Sequence, residues 1–302
     1  MNVASPPPRA IDADRRSDQI ARAIGRAIAI YLVAVTWGVW RHAQASESWT
    51  PLALHLVALA YVLAALGSRG VVRRPVLDWL MLTVGPFMYV ELRWIIAGLG
   101  MPHRDELVIA WERSLFPSNP SATLAPHWSG VVVSEALHFA YASYYLLIYL
   151  PPILLYLRRQ RDAFVATALA LTIVYGICFV AYALFPVDGP RYLVGPAAAP
   201  DGPMRSFVLA LLERGSSRGT AFPSSHVAAS LVSALCALRY QRRVGVLVSV
   251  MAAALTLATV YGGFHYAVDA LVGVFLGALS WAASVTVWNG FASRGEQTAT
   301  AA

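Results

Sequence analysis

The sequence predicts an all-α protein, a bundle of helices that crosses a membrane several times. Hydrophobic residues make up 58% of the chain, charged residues only 13%, and the mean hydropathy is +0.58. A soluble domain carries about 25% charged residues. The net charge of +7 comes from arginines that lie in short clusters between long apolar runs. That placement is typical of a polytopic membrane protein and argues against a nucleic-acid partner.

Eight apolar segments are each close to the roughly 20 residues that a membrane-spanning helix needs. They lie at 24–40, 51–67, 76–97, 131–156, 163–186, 222–238, 244–262 and 266–288. The second segment is the plainest, and we assign it only a packing role. The third contains Asp78, Glu91 and Arg93. Because ionisable groups are costly at the bilayer centre, we expect these three to lie near helix ends or to face the bundle interior.

The two ends of the chain are polar. Residues 1–22 contain three consecutive prolines and alternating charges, which predicts a disordered tail. No apolar core with a small-residue cleavage site follows at the distance typical of a signal peptide. We therefore predict a tail at 1–22, a transmembrane catalytic domain at 23–290 and a second tail at 291–302.

Arginine clusters predict the orientation. They follow the second, fourth and sixth segments, as Arg69, Arg73 and Arg74; Arg158, Arg159 and Arg161; and Arg239, Arg242 and Arg243. If eight helices alternate, all these clusters lie on one side, which the positive-inside rule assigns to the cytoplasm. Both tails are then cytoplasmic, in a multi-pass protein of the plasma membrane. Two polar segments, 99–130 and 187–221, then lie outside; we expect an interfacial amphipathic helix in the first and a short helix at 204–213 in the second.

A first motif precedes the sixth segment, in which Pro223, Ser224 and Ser225 lie immediately before His226. Serine at this position caps a helix, and Pro is common at its start. Helix N-termini carry unpaired N–H groups that attract phosphate. The motif therefore predicts an anion site with an imidazole beside it.

A second motif precedes the eighth segment, where His265 and Asp269 are four residues apart and share one helix face. A carboxylate on one imidazole nitrogen leaves the other basic. Either His226 or His265 alone would more simply be a hydrogen-bonded interfacial residue, and the two with Asp269 could bind zinc. Because Asp269 is spaced to orient His265 and the first motif suits phosphate, we favour phosphoryl transfer without a metal or other cofactor.

These residues resemble a known family. P-S-x-H at 223–226 and H-x-x-x-D at 265–269, with Arg191 upstream, resemble the motifs of the type 2 phosphatidic acid phosphatase superfamily. The matching stretches span 188 to 273. The resemblance implies a six-helix core preceded here by two added helices, and a phosphorylated lipid as the substrate. It also implies an active site on the outer membrane face, where both histidine motifs fall in the predicted orientation.

The resemblance also implies a role for each site residue. His265 is expected to accept the phosphoryl group, Asp269 to hold its tautomer, and His226 to protonate the leaving alkoxide. Phosphate binding is expected from an arginine and from the helix start, which here are Arg191, Ser224 and Ser225.

The chain departs from the commonest members of that family. It contains no lysine, and Thr259 stands where they have an arginine; Arg218, just before the first motif, is the best substitute. These departures resemble the inositol phosphorylceramide synthase and sphingomyelin synthase branch, and residues 105–152 resemble its inositolphosphotransferase group. The resemblance implies a lipid or polyol hydroxyl as the acceptor. Water would instead make the protein a phosphatase of lipid phosphates or polyprenyl pyrophosphates, and a non-catalytic scaffold or transporter is the third interpretation.

A polar cluster on the fourth segment is the candidate for headgroup binding. It comprises Glu135, His138, Tyr141 and Tyr145. Polyol headgroups need hydrogen-bonding side chains, and intramembrane ionisable groups are often functional. A polar network inside the bundle explains the same residues almost as well.

Overall fold

Helices account for nearly all of the ordered backbone in the computed structural model of the chain, which describes residues 8–69, 73–195 and 197–300. The described part contains thirteen helices and no β-strand. The helices are α1 Pro8–Ala45, α2 Thr50–Gly67, α3 Arg73–Leu99, α4 Asp105–Leu115, α5 Pro120–His127, α6 Val131–Ala142, α7 Tyr144–Leu157, α8 Arg161–Leu184, α9 Pro190–Val194, α10 Pro203–Gly215, α11 Ser225–Tyr240, α12 Arg242–Tyr261 and α13 Ala267–Thr300.

Six of the described helices, α1, α2, α3, α8, α12 and α13, are long and apolar enough to cross a membrane. Helices α6 and α7 make a seventh span, bent by 45° at Ser143. The remaining predicted segment, 222–238, forms α11, which has only 16 residues because Ser224 caps it. It packs among α7, α8, α12 and α13. The predicted all-α polytopic bundle is confirmed.

Both predicted tails contain helix. Helix α1 begins at Pro8, so the part of the 1–22 tail that the structure describes is not disordered; residues 1–7 lie outside the described residues. Ile20 and Ala21 are buried, and the Ser17 hydroxyl donates to Asp162 at the start of α8 at 2.5 Å. Helix α13 likewise continues through the predicted 291–302 tail to Thr300.

An ion-pair network explains why α1 begins so early. The Arg161 guanidinium on α8 contacts Asp78 on α3 and Asp18 on α1, each at 2.7 Å. Arg73 and Arg74 on α3 also pair with acids of α1. The charges predicted to belong to a loose tail therefore join three helices. Asp78 lies near a helix end, as expected.

A second buried polar contact ties α2 to the bundle. His55 of α2 is fully buried, with Nδ1 2.8 Å from Glu91 of α3 and Nε2 3.0 Å from the Thr36 hydroxyl of α1. Glu91 faces the interior, as expected. The prediction that segment 51–67 only packs is wrong, because its histidine supplies a hydrogen-bonding partner to the buried carboxylate.

The arginine network and the motif loops lie at opposite ends of the bundle. Helix α8 starts at Arg161, spans 24 residues and leads directly into the loop that carries Arg191. At 1.5 Å per residue this helix is about 36 Å long, enough to cross a bilayer. The two ends therefore lie near opposite membrane surfaces.

Two single-cysteine substitutions test which side of the membrane each end of the helix bundle faces. Val194→Cys should react with an impermeant thiol reagent in intact cells, and Gln160→Cys should react only after permeabilisation, because arginine-rich loops stay in the cytoplasm. Val194 is 79% exposed, Gln160 is also exposed, and the native Cys178 and Cys236 are buried and give little background. The reverse labelling pattern would contradict the predicted orientation.

Candidate active site

The start of α11 is anchored by backbone hydrogen bonds. The Ser224 hydroxyl accepts from the Val227 N–H at 3.4 Å, and the Ser224 N–H donates to the Asp269 carbonyl at 3.1 Å. The Ser225 N–H donates to the Tyr182 hydroxyl at 3.1 Å. Ser224 is fully buried and serves as the helix cap. The N–H groups of Ser224 and Ser225 are therefore occupied within the protein, and phosphate binding by the serines at this helix start remains a prediction.

His226 lies in the first turn of α11 between two tyrosines. Its ring stacks on Tyr141, with centroids 5.2 Å apart and an interplanar angle of 21°, and packs against Tyr144 at 4.2 Å. The Tyr141 hydroxyl is 3.5 Å from Nε2 of His226. Aromatic rings on both sides fix the imidazole plane. The side chain of His226 thus keeps one orientation at the mouth of the helix.

His265 lies in the short connection between α12 and α13, with its ring centroid 5.9 Å from that of His226. Its Nδ1 is 2.8 Å from the Ala221 carbonyl oxygen and 3.5 Å from the Asp269 carboxylate. A carbonyl oxygen only accepts, so Nδ1 carries the hydrogen and Nε2 is left as the basic nitrogen. The nearer partner is the carbonyl, whereas the sequence predicted Asp269.

Asp269 is fully buried beside this imidazole. Its Oδ2 accepts from the Tyr266 N–H at 2.8 Å, and its Oδ1 has no hydrogen-bond partner within the described parts of the chain. A buried carboxylate this close favours positive charge on His265. Asp269 thus lies beside His265, although His265 precedes the helix that carries Asp269 and the two do not share a helix face; the catalytic role of Asp269 remains a prediction.

Two arginines meet on the ring of Tyr192. The Arg191 guanidinium lies 4.3 Å above the ring centroid and donates to the Ser216 hydroxyl. The Arg218 guanidinium lies 5.3 Å from the same centroid and pairs with Asp188 at 2.9 Å. The structure thus brings both predicted arginines together on the ring of Tyr192.

Residues 106–283 match the family profile of the PAP2 superfamily, which is the type 2 phosphatidic acid phosphatase superfamily of the sequence resemblance. The chain belongs to the PAP2 superfamily. No curated protein and no solved structure matches it. Membership indicates a membrane enzyme of phosphoryl transfer. The matched range starts within α4, so α1, α2 and α3 all precede it.

A cavity within the bundle is lined in part by His226 of the PAP2 histidine pair. Its volume is about 170 Å³, and Ser225 also lines it. The remaining lining residues are mostly apolar or aromatic: Met81, Leu82, Gly85, Pro86, Tyr89, Val90, Tyr144, Tyr145, Ile148, Tyr149, Tyr175, Phe179 and Gly215. Val90 and Tyr145 are also exposed on the outside of the bundle. The cavity that His226 lines is therefore largely apolar.

The predicted headgroup cluster is divided between two places. The Glu135 carboxylate accepts the N–H groups of Met204 and Arg205, at 2.8 and 3.0 Å, and so caps α10. His138 is buried, and its Nδ1 is 2.7 Å from the Ser134 carbonyl. Both side chains therefore have structural partners that the sequence did not predict, and headgroup binding by Glu135 and His138 remains a prediction.

The two tyrosines of that cluster do lie at the site. Tyr141 stacks on His226, and Tyr145 lines the apolar cavity. They follow the structural residues Glu135 and His138 by about one to three helical turns on the same bent helix pair.

Two further carboxylates, which the sequence analysis missed, hold the motif loops in place. Asp105 accepts the N–H groups of Asp188 and Gly189 at 3.0 and 2.9 Å, just before Arg191. Glu112 accepts those of Ala267 and Val268 at 3.0 and 2.8 Å, at the start of the helix that carries Asp269. Both acids are buried on α4. Their spacing of seven residues, with Val108 between them, was the signal for one shared helix face.

The Tyr266 hydroxyl lies near several carboxylates. Burial, together with the carboxylates of Asp105, Asp269 and Glu112, raises the pKa of the Tyr266 hydroxyl above its ordinary value. This hydroxyl therefore remains protonated at physiological pH. Its ring belongs to a small apolar cluster with Val108 and Val187 that packs α4 against the motif loops.

A nearby acidic group has the composition of a metal site. His103, Asp105 and Asp188 have donor atoms within 4.8 Å of one another. Asp188 already accepts the Gly219 N–H at 2.9 Å and pairs with Arg218 at 2.9 Å, and Asp105 already accepts two N–H groups. A cation would have to displace these donors. The absence of a metal from the reaction remains a prediction.

Removing the Glu112 carboxylate should loosen the start of α13. In Glu112→Gln one carboxylate oxygen becomes a buried NH₂ group facing an N–H, which should lower the free energy of unfolding by about 1–3 kcal/mol. The rate of lipid phosphate turnover should fall as Asp269 loses its fixed position. Thermal unfolding in detergent and initial rates measure the two effects. Glu106→Gln, at an exposed site on the same helix, is the control, and equal behaviour of the two variants would contradict the role assigned to Glu112.

Proposed function

We propose that this chain transfers the phosphoryl group of a phosphorylated lipid through a covalent intermediate on His265. The observation that supports this most strongly is the geometry of the histidine pair. The Nδ1 hydrogen of His265 is donated to the Ala221 carbonyl, so Nε2 is the nucleophilic nitrogen. The ring centroids of His265 and His226 lie 5.9 Å apart. An oriented imidazole next to a second imidazole fits a nucleophile and a general acid.

The remaining residues take supporting roles in this proposal. Asp269 stabilises the positive charge that develops on His265 as it accepts the phosphoryl group. His226 protonates the leaving alkoxide. Arg191 and Arg218 neutralise charge on the phosphoryl oxygens, which is the main requirement of phosphoryl transfer. Ser225 lines the apolar cavity together with His226. No metal or organic cofactor has a role.

The apolar cavity supports a lipid as the phosphoryl donor. His226 lines it, and the walls from α3, α7 and α8 offer aliphatic and aromatic surface to a hydrocarbon chain. The phosphate then lies at the membrane surface, between the histidines and the arginines. In the predicted orientation this is the outer, extracytoplasmic surface.

We propose that a hydroxyl of a second lipid or polyol accepts the phosphorylated group, as in an inositolphosphotransferase. The resemblance of residues 105–152 to that group supports this choice. The Tyr141 hydroxyl lies 3.5 Å from Nε2 of His226, and Tyr145 lines the same cavity as His226, whereas Glu135 and His138 have structural partners. With water as the acceptor, the same site would act as a lipid phosphate phosphatase.

Product analysis tests the acceptor. Purified protein would be incubated with phosphate-labelled lipid phosphates, with and without inositol or diacylglycerol. A new labelled phospholipid that appears only with an acceptor is the expected result. Free phosphate as the sole product would select the phosphatase. No product from any donor, with the fold intact, would contradict an enzymatic function.

The two histidines should respond differently to the leaving group. A lipid alkoxide must be protonated as it departs, whereas a nitrophenolate leaves without a proton. His226→Ala should therefore lose about 10²–10⁴-fold in rate on a lipid phosphate and much less on a nitrophenyl phosphate. His265→Ala should be inactive on both because no covalent intermediate can form. Asp269→Asn should fall between them.

Initial rates on both substrates, with circular dichroism to show that the fold is intact, measure this difference. Equal losses for both histidine variants on both substrates would contradict the assigned roles.

A further inference from the structure

A second cavity lies between the end of α3 and the loop that precedes α11, and of the proposed catalytic group it includes Arg218. Its volume is about 540 Å³. It is lined by Arg93, Ile96, Ala97, His103, Asp188, Ser216, Ser217 and Arg218. Ser216 also accepts from the Arg191 guanidinium, so the second cavity adjoins the arginine that we propose binds the transferred phosphate.

The charge lining this second cavity is unbalanced. Among the described residues that line it, Asp188 is the only acidic one, and this carboxylate already pairs with Arg218 and with His103, each at 2.9 Å. The Arg93 guanidinium has no ion pair among the described residues. Its Nε is buried and has no hydrogen-bond partner in the described ranges. A buried cationic donor without an acceptor is costly, so such a group in a native fold calls for a ligand.

Ser217 supplies a second unpartnered group. It is 3% exposed, and its hydroxyl has no hydrogen-bond partner among the parts of the chain that the structure describes. Ser217 lines the same cavity as Arg93. A hydroxyl and a guanidinium both donate to oxyanions, and the guanidinium fork matches phosphate in shape.

We propose that Arg93 and Ser217 form a second phosphate site, which binds a phosphate group other than the one transferred to His265. Its place relative to the reaction rests on the proposed function. Two sources share this chemistry: the second phosphate of a diphosphate-linked lipid donor, or free inorganic phosphate. The site also supplies a cation next to Arg191 in a chain that lacks lysine.

Direct binding tests the site without any catalysis. Titration calorimetry on the purified full-length protein in detergent would use inorganic phosphate and pyrophosphate as the probes. Arg93→Gln should weaken binding of at least one probe about tenfold or more, and Ser217→Ala should weaken it by a smaller factor. Arg41→Gln, at an exposed arginine near the end of α1, is the matched control and should bind as the unaltered protein does.

Kinetics distinguish the two sources. If the site holds the donor's second phosphate, Arg93→Gln should raise KM for a polyprenyl diphosphate about tenfold, with kcat unchanged. KM for the monophosphate of the same chain should stay within twofold. If free phosphate is the ligand, the variant should instead weaken product inhibition by phosphate about tenfold, with both KM values unchanged. Arg93→Lys, which keeps the charge but loses the fork, should fall between in either case.

The proposal would be overturned if neither probe binds to the unaltered protein. It would also be overturned if Arg93→Gln behaves like Arg41→Gln in every assay, or if Arg93→Gln loses kcat equally on the diphosphate and the monophosphate donor. Where Arg93→Gln fails to fold, Arg93→Lys and Ser217→Ala replace it, and full affinity in both variants would also overturn the proposal. An inactive protein that still binds pyrophosphate through Arg93 would contradict the proposed function and leave the second site standing.

Discussion

Paired backbone N–H groups at three loop–helix junctions are held by buried or capping carboxylates, and the geometry of the site depends on them. Asp105, Glu112 and Glu135 each accept two adjacent N–H groups from a distant part of the chain. Near a membrane, an N–H group without an acceptor is costly, and a negative charge is favoured at a helix N-terminus. The arginine loop, the Asp269 helix and α10 are therefore fixed by charges that lie outside the catalytic group.

The site combines an apolar side with a cationic one. On one side, helices α3, α7 and α8 line an apolar cavity that includes His226. On the other, Arg191 and Arg218 share the ring of Tyr192, and Arg93 lines the same cavity as Arg218. An amphiphile with a phosphate at its head matches both sides at once. The apolar cavity and the arginines together therefore match a phosphorylated lipid better than either feature does alone.

Local patterns carried most of the correct predictions. The apolar segments predicted the helices, and the spacing of His265 and Asp269 predicted their contact, because both depend on residues close in sequence. The errors concern partners far along the chain. Glu135 meets α10 some 69 residues away, and His55 meets Glu91 across 36 residues. Nothing local to either residue specifies those partners, so a headgroup ligand and a purely apolar α2 were reasonable expectations. The early start of α1 has the same cause, since its acids pair with arginines on α3 and α8.

The central claim is that His265 carries the phosphoryl group during turnover. Trapping tests it most directly: the purified protein, mixed with a lipid donor labelled in its phosphate, would be quenched in alkaline detergent within the first turnover. The account predicts protein-bound label that is stable to alkali, released by mild acid, assigned to His265 by peptide mapping and absent from His265→Ala. Label that persists in His265→Ala, or that maps to another residue, would contradict it.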